Sequence, residues 1–272
     1  MLKTKRINDV KISKIRLPRI AQKKIRGACV LPIYSNTFLC AKKNSGKTTT
    51  IYNVLKKCVD KDTIIDLFVS TIEKDRSWIQ IVKHFRDKGC TVNAHTSTID
   101  DEGNDLIREI IDTPVEFSDD EESESESEED LKYISVGGAD VDEPKERKRR
   151  KPAKLAQKRV IVLDDIGNEL SKPSVSQLLK INRHLRCKVI LSTQYLNDLS
   201  PMARRQIDVW LLFGGLKKNK LEQVVRDCDT RLDYNEFEQV YKFCTDGRYD
   251  FMYLDCASDS YRKNFNEQIV LT

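Results

Sequence analysis

Short apolar runs alternate with amphipathic segments along much of this chain. The apolar runs predict buried strands at residues 37–40, 64–69, 91–94, 160–163, 189–192 and 209–213. Apolar positions three or four residues apart predict helices between them, at residues 47–59, 77–88, 105–111 and 174–185. Strands without polar alternation that are joined by helices are typical of βαβ units in a parallel sheet. The pattern therefore predicts an α/β fold, with a central parallel sheet flanked by helices.

Beyond residue 215 the pattern is weaker. Helices are predicted at 220–228 and 235–244 and a strand at 249–254, as an accessory segment that completes the sheet or contacts a neighbouring subunit. On the helix predicted at 77–88, Trp78 and Phe85 share one face, which favours a place in the core over a base-stacking role.

A candidate phosphate-binding loop follows the first predicted strand and precedes the first predicted helix. It reads Ala41-Lys42-Lys43-Asn44-Ser45-Gly46-Lys47-Thr48-Thr49, which matches G-x-x-x-x-G-K-[ST] except that Ala41 replaces the first glycine. In such a loop backbone N–H groups surround the phosphates, Lys47 reaches the β and γ oxygens, and the Thr48 hydroxyl binds Mg²⁺. The helix that follows adds partial positive charge at the anion. Since an ordinary lysine-rich turn would look similar, a second motif is needed.

The second motif is the aliphatic run at 160–163, which ends in Asp164 and Asp165. Ligands of parallel α/β sheets bind at the carboxyl ends of the strands, so both carboxylates are expected at that edge. Asp164 is predicted to hold Mg²⁺ opposite Thr48, and Asp165 to orient or deprotonate the attacking water. A third strand ends at Gln194, whose amide is a candidate contact to the γ-phosphate or the water. A buried strand followed by a polar turn would read the same way.

Three blocks, at 163–172, 182–185 and 189–194, resemble the poxvirus-type DNA-packaging ATPases. That family belongs to the FtsK–HerA group of P-loop motors, found also in other large DNA viruses, virophages and Polinton or Maverick elements. The resemblance covers residues 30–111 and 159–215. It implies a RecA/ASCE-like P-loop NTPase fold, and a homo-oligomeric ring that hydrolyses ATP with Mg²⁺ to move double-stranded DNA into a capsid. A capsid or portal protein would be a further partner.

The resemblance also implies roles for single residues. Nucleotide and metal roles fall on Lys47, Thr48, Asp164, Asp165 and Gln194. In the family an arginine of one subunit completes the neighbour's site, and Arg204 fits that position best, with Arg183 and Arg205 as competitors. Ala41 departs from the family pattern, as does Asp165, where many relatives in the wider superfamily have glutamate. The shorter side chain places the carboxylate farther from the water, which puts the turnover rate in question.

Composition agrees with a folded, intracellular protein. The chain has 272 residues, of which 33% are charged and 39% hydrophobic, enough for one α/β domain with a small appendage. An apolar run of the ~20 residues that a membrane span needs does not occur, and no apolar signal core follows Met1. These features predict an intracellular location. Together with the resemblance, they imply a place inside the host cell, in the cytoplasm, a viral factory or the nucleus, with association with the virion as a further option.

Cysteine and histidine spacing argues against a zinc site. The eight cysteines are scattered singly without a C-x-x-C pair, and the three histidines show no ligand spacing. Several cysteines lie in apolar segments, where a thiol behaves as a small hydrophobe. They are therefore predicted to be reduced core residues.

Charge is unevenly distributed, although the net charge is only +5. Residues 1–27 are predicted to form a basic arm. This arm either contacts DNA or an acidic partner electrostatically, or is a solvated tail without a dedicated ligand. Residues 114–158 are predicted to be a disordered insertion into an ATPase core that spans 28–215. The insertion has an acidic run at 118–130 and a basic cluster at 145–152. That cluster reads as a nuclear-localisation patch, a DNA contact, or a partner that neutralises the acidic run. Residues 216–272 form the accessory segment.

Two other classes of function share these features. One is a different DNA-stimulated P-loop ATPase, such as a helicase or a transposition-associated ATPase, with the same catalytic residues. The other is a non-catalytic DNA-binding or capsid-binding protein with a decayed loop. Ala41 favours decay, but intact Lys47, Thr48, Asp164 and Asp165 count against it.

Overall fold

A computed structural model of the chain describes residues 27, 29–113 and 159–271. Its strands are β1 (Asn36–Cys40), β2 (Ile64–Val69), β3 (Thr91–His95), β4 (Arg159–Asp164), β5 (Cys187–Thr193), β6 (Val209–Phe213), β7 (Phe251–Asp255), β8 (Ser260–Lys263) and β9 (Glu267–Gln268). Its helices are α1 (Lys47–Cys58), α2 (Arg76–Asp87), α3 (Leu106–Asp112), α4 (Pro173–Ile181), α5 (Pro201–Arg204), α6 (Lys218–Cys228) and α7 (Tyr234–Cys244). Short 3₁₀ turns follow β4 and β5.

One sheet contains all these strands, in the order β3-β2-β4-β5-β1-β6-β7-β8-β9. Strands β1 to β6 pair with one another in parallel, so their carboxyl ends lie along one edge of the sheet. Strand β5 lies between β1, which leads into the loop, and β4, which ends in the acidic pair. The predicted parallel sheet flanked by helices is confirmed, and its strand order is that of an ASCE-type P-loop fold.

Alternate side chains of the buried strands enter two separate cores. In β4, for example, Ile161 and Leu163 pack on one face of the sheet, while Val160 and Val162 pack on the other. The first face is covered by α3, α4, α6 and α7, and the second by α1 and α2. Trp78 and Phe85 of α2 are almost fully buried in the second core, as predicted.

Cysteine burial agrees only in part with the prediction. Cys40, Cys58, Cys90, Cys187 and Cys244 are buried, whereas Cys228 and Cys256 are partly buried and Cys29 is exposed. Burial raises the pKa of the Cys40 and Cys187 thiols to about 12, so both are protonated near neutral pH.

The helix predicted at 174–185 was too long, because α4 ends at Ile181. The Asn36 side chain donates to the carbonyl of Leu179 at 2.7 Å, and the Asn182 amide donates to the carbonyl of Tyr34. These bonds tie the end of the helix to the start of β1. The chain then reverses through Arg186, whose φ of 51° is left-handed, and enters β5. A local pattern does not report such long-range bonds.

The segment after residue 215 completes the sheet, which was one of its two predicted roles. Strand β7 pairs antiparallel with β6, and β8 and β9 extend this antiparallel part, so the whole sheet is mixed. The strand predicted at 249–254 is shifted, since β7 begins at Phe251. Strands β8 and β9 were not predicted, because they are short and rich in polar residues.

The predicted basic arm, except for Gly27, and the predicted insertion at 114–158 lie outside the described residues. All the described residues belong to one compact unit. The helices in the described part of the chain include none with the length and apolar composition of a membrane span.

Candidate nucleotide-binding site

The loop between β1 and α1 has the backbone of a tight anion-binding turn. Asn44 and Gly46 have left-handed φ values of 59° and 94°, and the Ser45 hydroxyl donates to the carbonyl of Lys42 at 2.6 Å. Gly46 caps the N-terminus of α1, so the positive end of the helix faces the loop. The first turn of α1 has no acidic residue that would neutralise this charge. The loop is therefore shaped to receive a phosphate.

Ala41 continues β1 rather than lying in the turn. Its N–H donates to the carbonyl of Thr193 at 3.1 Å, and its methyl group is buried in the core on the α1 side of the sheet. A methyl group is thus accommodated where the motif has glycine. The substitution is not evidence of a decayed loop.

A cleft of about 790 Å³ lies over this loop. It is lined by residues 42–50, Asp75, Ser77, Asp165, Arg248 and Tyr249. Residues 42–49 and Asp165 were predicted from the sequence. The other five lining residues, Thr50 among them, were not.

Lys47 and Asp165 meet in this cleft, although 118 positions separate them in the chain. Lys47 Nζ lies 2.9 Å from Asp165 Oδ1, and the Asp165 side chain is 40% exposed. The backbone of Asp165 has a left-handed φ of 50°, and its N–H donates to the carbonyl of Ser192. The Ser70 hydroxyl donates to the carbonyl of Asp165 at 3.0 Å. These two bonds hold the carboxylate toward the amine.

Asp164 lies behind this pair, at the buried end of β4. The indole Nε1–H of Trp78 donates to its Oδ2 at 3.1 Å, whereas Oδ1 is buried without a hydrogen-bond partner among the described residues. Burial raises the pKa of the Asp164 carboxyl, and the nearby charge of Lys47 partly opposes that shift. A buried carboxylate oxygen without a partner beside a phosphate loop is suited to a hard cation. The residues present therefore fit Mg²⁺.

Thr48 and Gln194, the other two residues with predicted nucleotide roles, differ in their position relative to the cleft. Thr48 is the second residue of α1 and lines the cleft. Gln194 directly follows β5, next to the start of the loop, and its carbonyl accepts from Lys220 Nζ at 3.4 Å. Gln194 is not among the residues that line the cleft.

Arg204 is placed differently from the prediction. Its guanidinium is buried, with Nε 2.6 Å from Asp227 Oδ2 and Nη1 2.6 Å from the carbonyl of Leu199. These contacts join α5 to α6 within one chain and leave the guanidinium unavailable to a neighbouring subunit, which disfavours the predicted role. Arg183 pairs with Asp208 at the opposite edge of the sheet, while the side chain of Arg205 is exposed.

Sequence reasoning missed the contacts of three residues in or near the cleft. Asp75 caps α2 and accepts from the N–H of Ser77, and an N-cap aspartate was a readable signal for that helix start. Trp78 was correctly placed in the core, but its bond to Asp164 was not predicted. Tyr249 reaches the loop only because β7 returns antiparallel to β6, and no local motif indicates that.

Three features define a P-loop NTPase of the ASCE type. The first is the glycine-containing loop with Lys47, and the second is the strand two positions away in the sheet that ends in the acidic pair. The third is the polar residue at the end of the strand between them. Residues 123–248 match the model of a family described as "Poxvirus A32 protein". Over this stretch, which is a little less than half of the chain, the protein is similar to that family, in agreement with the resemblance seen in the sequence. The matched stretch contains Asp164, Asp165 and Gln194, and it begins after the phosphate-binding loop.

Solved structures with this fold include a viral NTPase. The genome packaging NTPase B204 from Sulfolobus turreted icosahedral virus 2, in complex with AMPPCP, aligns with a TM-score of 0.50 and 18% identity, over 84% of this chain and 95% of that chain. A second structure, of B204, the DNA-packaging ATPase from Sulfolobus turreted icosahedral virus, aligns with a TM-score of 0.48 and 19% identity. This alignment covers 85% of this chain and 96% of that chain. The first of these likenesses establishes the fold. No curated protein matches the chain in sequence.

Proposed function

We propose that this protein is an ATP hydrolase that moves double-stranded viral DNA into a capsid. The hydrolase part rests on one observation above all. Lys47 and Asp165 are paired across a cleft above a phosphate-binding loop, and a buried carboxylate, Asp164, lies beside them. The packaging part rests on the match of residues 123–248 to the poxvirus A32 family.

The ion pair suggests how the site changes when a triphosphate binds. The phosphate oxygens offer Lys47 a second acceptor, so its ammonium group leaves Asp165 and binds the β and γ oxygens. The Asp165 carboxylate, which is partly exposed to the cleft, is then available to accept a proton from a water. Backbone N–H groups of the loop and the N-terminus of α1 hold the phosphates in place.

Thr48 and Asp164 are the residues that would hold Mg²⁺, which when bound neutralises negative charge on the phosphates. The Trp78 bond to Oδ2 orients the Asp164 carboxylate, so that Oδ1 is the atom left for the ion. Gln194, at the end of the strand between the loop and the acidic pair, would contact the γ-phosphate or the water.

The partners we propose follow from the family. They are double-stranded DNA, a capsid or portal protein, and further copies of this chain in a ring, inside the infected host cell. A ring motor needs an arginine that reaches the next subunit's nucleotide, and Arg205 has the exposed side chain that this role requires.

Hydrolysis with and without double-stranded DNA tests the catalytic part. We expect DNA to stimulate turnover, and Lys47→Ala to lower it by roughly 10²–10³-fold, the size typical for loss of one charge-stabilising group. Lys57→Ala, which removes an exposed lysine near the end of the same helix, should leave turnover unchanged. Wild-type turnover in Lys47→Ala would contradict the mechanism.

Displacement of a third strand from a DNA triplex tests the translocation part. A motor that moves along intact duplex releases the third strand and keeps the duplex paired. A helicase, the main alternative, would instead release a strand of the duplex itself. Release of a duplex strand, or stimulation by single-stranded DNA alone, would contradict the packaging assignment and favour the helicase.

A further inference from the structure

Tyr249 and Arg248 lie at the mouth of the nucleotide cleft, about 200 positions from the loop in the chain. The two residues precede β7. A side-chain carbon added at Gly46 would lie 3.4 Å from Tyr249 Cδ1, so the tyrosine ring packs against the glycine of the loop. Even so, Tyr249 is 56% exposed. Arg248 Cζ lies 5.1 Å from the centre of the ring. A largely exposed aromatic side chain therefore borders the site where phosphates are expected.

The sheet order indicates which end of a nucleotide meets this side chain. On one side of β1 lie β5 and then β4, which carries Asp164 and Asp165. On the other side lie β6 and then β7, which Tyr249 precedes. The reacting terminal phosphate must face the acidic pair, so the nucleoside end of a bound nucleotide extends toward β7. Tyr249 is on that side.

We propose that Tyr249 and Arg248 form the nucleoside subsite of the ATP site, an inference that rests on the proposed hydrolase function. The phenol ring stacks on the base, and the Arg248 guanidinium, held near the ring, supplies positive charge beside the sugar and the α-phosphate. An aromatic ring that stacks on a base contributes about 1–3 kcal/mol per base with little dependence on which base it is. The subsite therefore favours nucleotides over inorganic phosphates, but discriminates weakly between ATP and GTP.

Binding measurements with two probes separate this role from mere support of the loop. With MgATP, Tyr249→Ala should raise Kd and KM by about 5–160-fold, the fold-change that corresponds to the stacking energy, while kcat stays near its wild-type value. With inorganic triphosphate, which has no base, Tyr249→Ala should bind as wild type does. Tyr249→Phe should restore MgATP binding, since the ring is kept.

A matched control is Tyr195→Ala, which removes another exposed tyrosine that follows a strand end but does not line the cleft. Its MgATP affinity should equal that of wild type. Equal losses of MgATP and inorganic triphosphate binding in Tyr249→Ala would show that the ring only supports the loop, and would overturn the subsite. Unchanged MgATP binding would also overturn it. If wild type itself binds MgATP but does not hydrolyse it, the proposed function fails while the subsite is still measured.

Arg248→Ala tests the other half of the subsite. Loss of its charge should weaken MgATP binding by a smaller factor than Tyr249→Ala, and the loss should shrink as salt is added, because an exposed charge is screened. Arg226→Ala, which removes a charge at the end of α6, is the control. Equal salt dependence of MgATP binding in wild type and Arg248→Ala would contradict the role of the guanidinium.

Discussion

The cleft and the region around α5 and α6 each contain a basic residue paired with an aspartate, and the two pairs differ in how exposed they are. Lys47 and Asp165 are 2.9 Å apart at the cleft, and Asp165 is 40% exposed. Arg204 and Asp227 are 2.6 Å apart, with side chains only 6% and 12% exposed, and backbone carbonyls accept further bonds from Arg204. Both basic residues were predicted to act in catalysis. The Lys47 side chain is itself only 8% exposed, so the two pairs differ in the carboxylate, which is accessible to a ligand only at the cleft.

The difference shows that environment, rather than residue type, separates a catalytic cation from a structural one. A buried guanidinium with several acceptors holds packed elements together, and freeing it would leave Asp227 as an unpaired charge. An amine with one exposed partner can exchange that partner for a phosphate. The comparison predicts that changes at Arg204 act on folding and that changes near Lys47 act on ligand binding.

The largest effect on stability is expected for Arg204→Ala. Removal of the guanidinium leaves the largely buried Asp227 carboxylate unpaired, and breaking a buried pair typically costs about 3–5 kcal/mol of unfolding free energy. Arg205→Ala, one position along and exposed, should change it by less than about 0.5 kcal/mol. Urea denaturation measures both. If Arg204→Ala unfolds like wild type but loses hydrolysis that added wild-type subunits restore, the arginine acts in trans and our comparison is broken.

A smaller effect is expected for Trp78→Phe. The ring and its packing are retained, but the indole N–H bond to the buried Asp164 is lost, at a cost of about 1–3 kcal/mol for an oxygen left without its donor. Because this bond also orients Asp164, the Mg²⁺ concentration needed for half-maximal hydrolysis should rise. Phe85→Leu, a core change on the same helix, is the control and should affect stability alone. An unchanged Mg²⁺ requirement in Trp78→Phe would show that the tryptophan does not position the carboxylate.

The smallest effect on stability, and one of opposite sign, is expected for Asp164→Asn. Burial raises the pKa of Asp164, so the folded state binds more protons than the unfolded state just above the ordinary pKa of 3.8. The wild type therefore loses stability as pH rises through the pKa that Asp164 has in the folded state. Asp164→Asn has no carboxyl group to ionise there, so it does not lose this stability. Without nucleotide, the variant should gain stability relative to wild type as pH rises from about 4.

Hydrolysis by Asp164→Asn should nevertheless be abolished, because a neutral amide is a poor Mg²⁺ ligand. Stability measured against pH, together with turnover at neutral pH, checks both expectations. A variant that is less stable than wild type at every pH, or that retains Mg²⁺-dependent turnover, would show that Asp164 is a structural carboxylate like Asp227.

Much of the fold was predictable because its strands are short apolar runs that are buried on both faces. The bounds of β2 and β6 were predicted correctly, and Lys47, Asp164 and Asp165 meet at one edge because the carboxyl ends of parallel strands must do so. The parts that were not predicted depend on long-range contacts. Asp227 reaches Arg204 from another helix, and Tyr249 reaches the loop through an antiparallel return of the chain. Neither contact leaves a periodic or motif signal.

Hydrogen exchange with saturating Mg²⁺ and a non-hydrolysable ATP analogue tests the central claim most directly, which is that a nucleotide binds between the loop and the acidic pair. The account predicts slower exchange of the amides at 42–50 and around Asp165, because loop N–H groups bind the phosphates. Exchange in α5 and α6 around the Arg204 pair should not change. Protection at α5 and α6 with none at 42–50 would contradict the account.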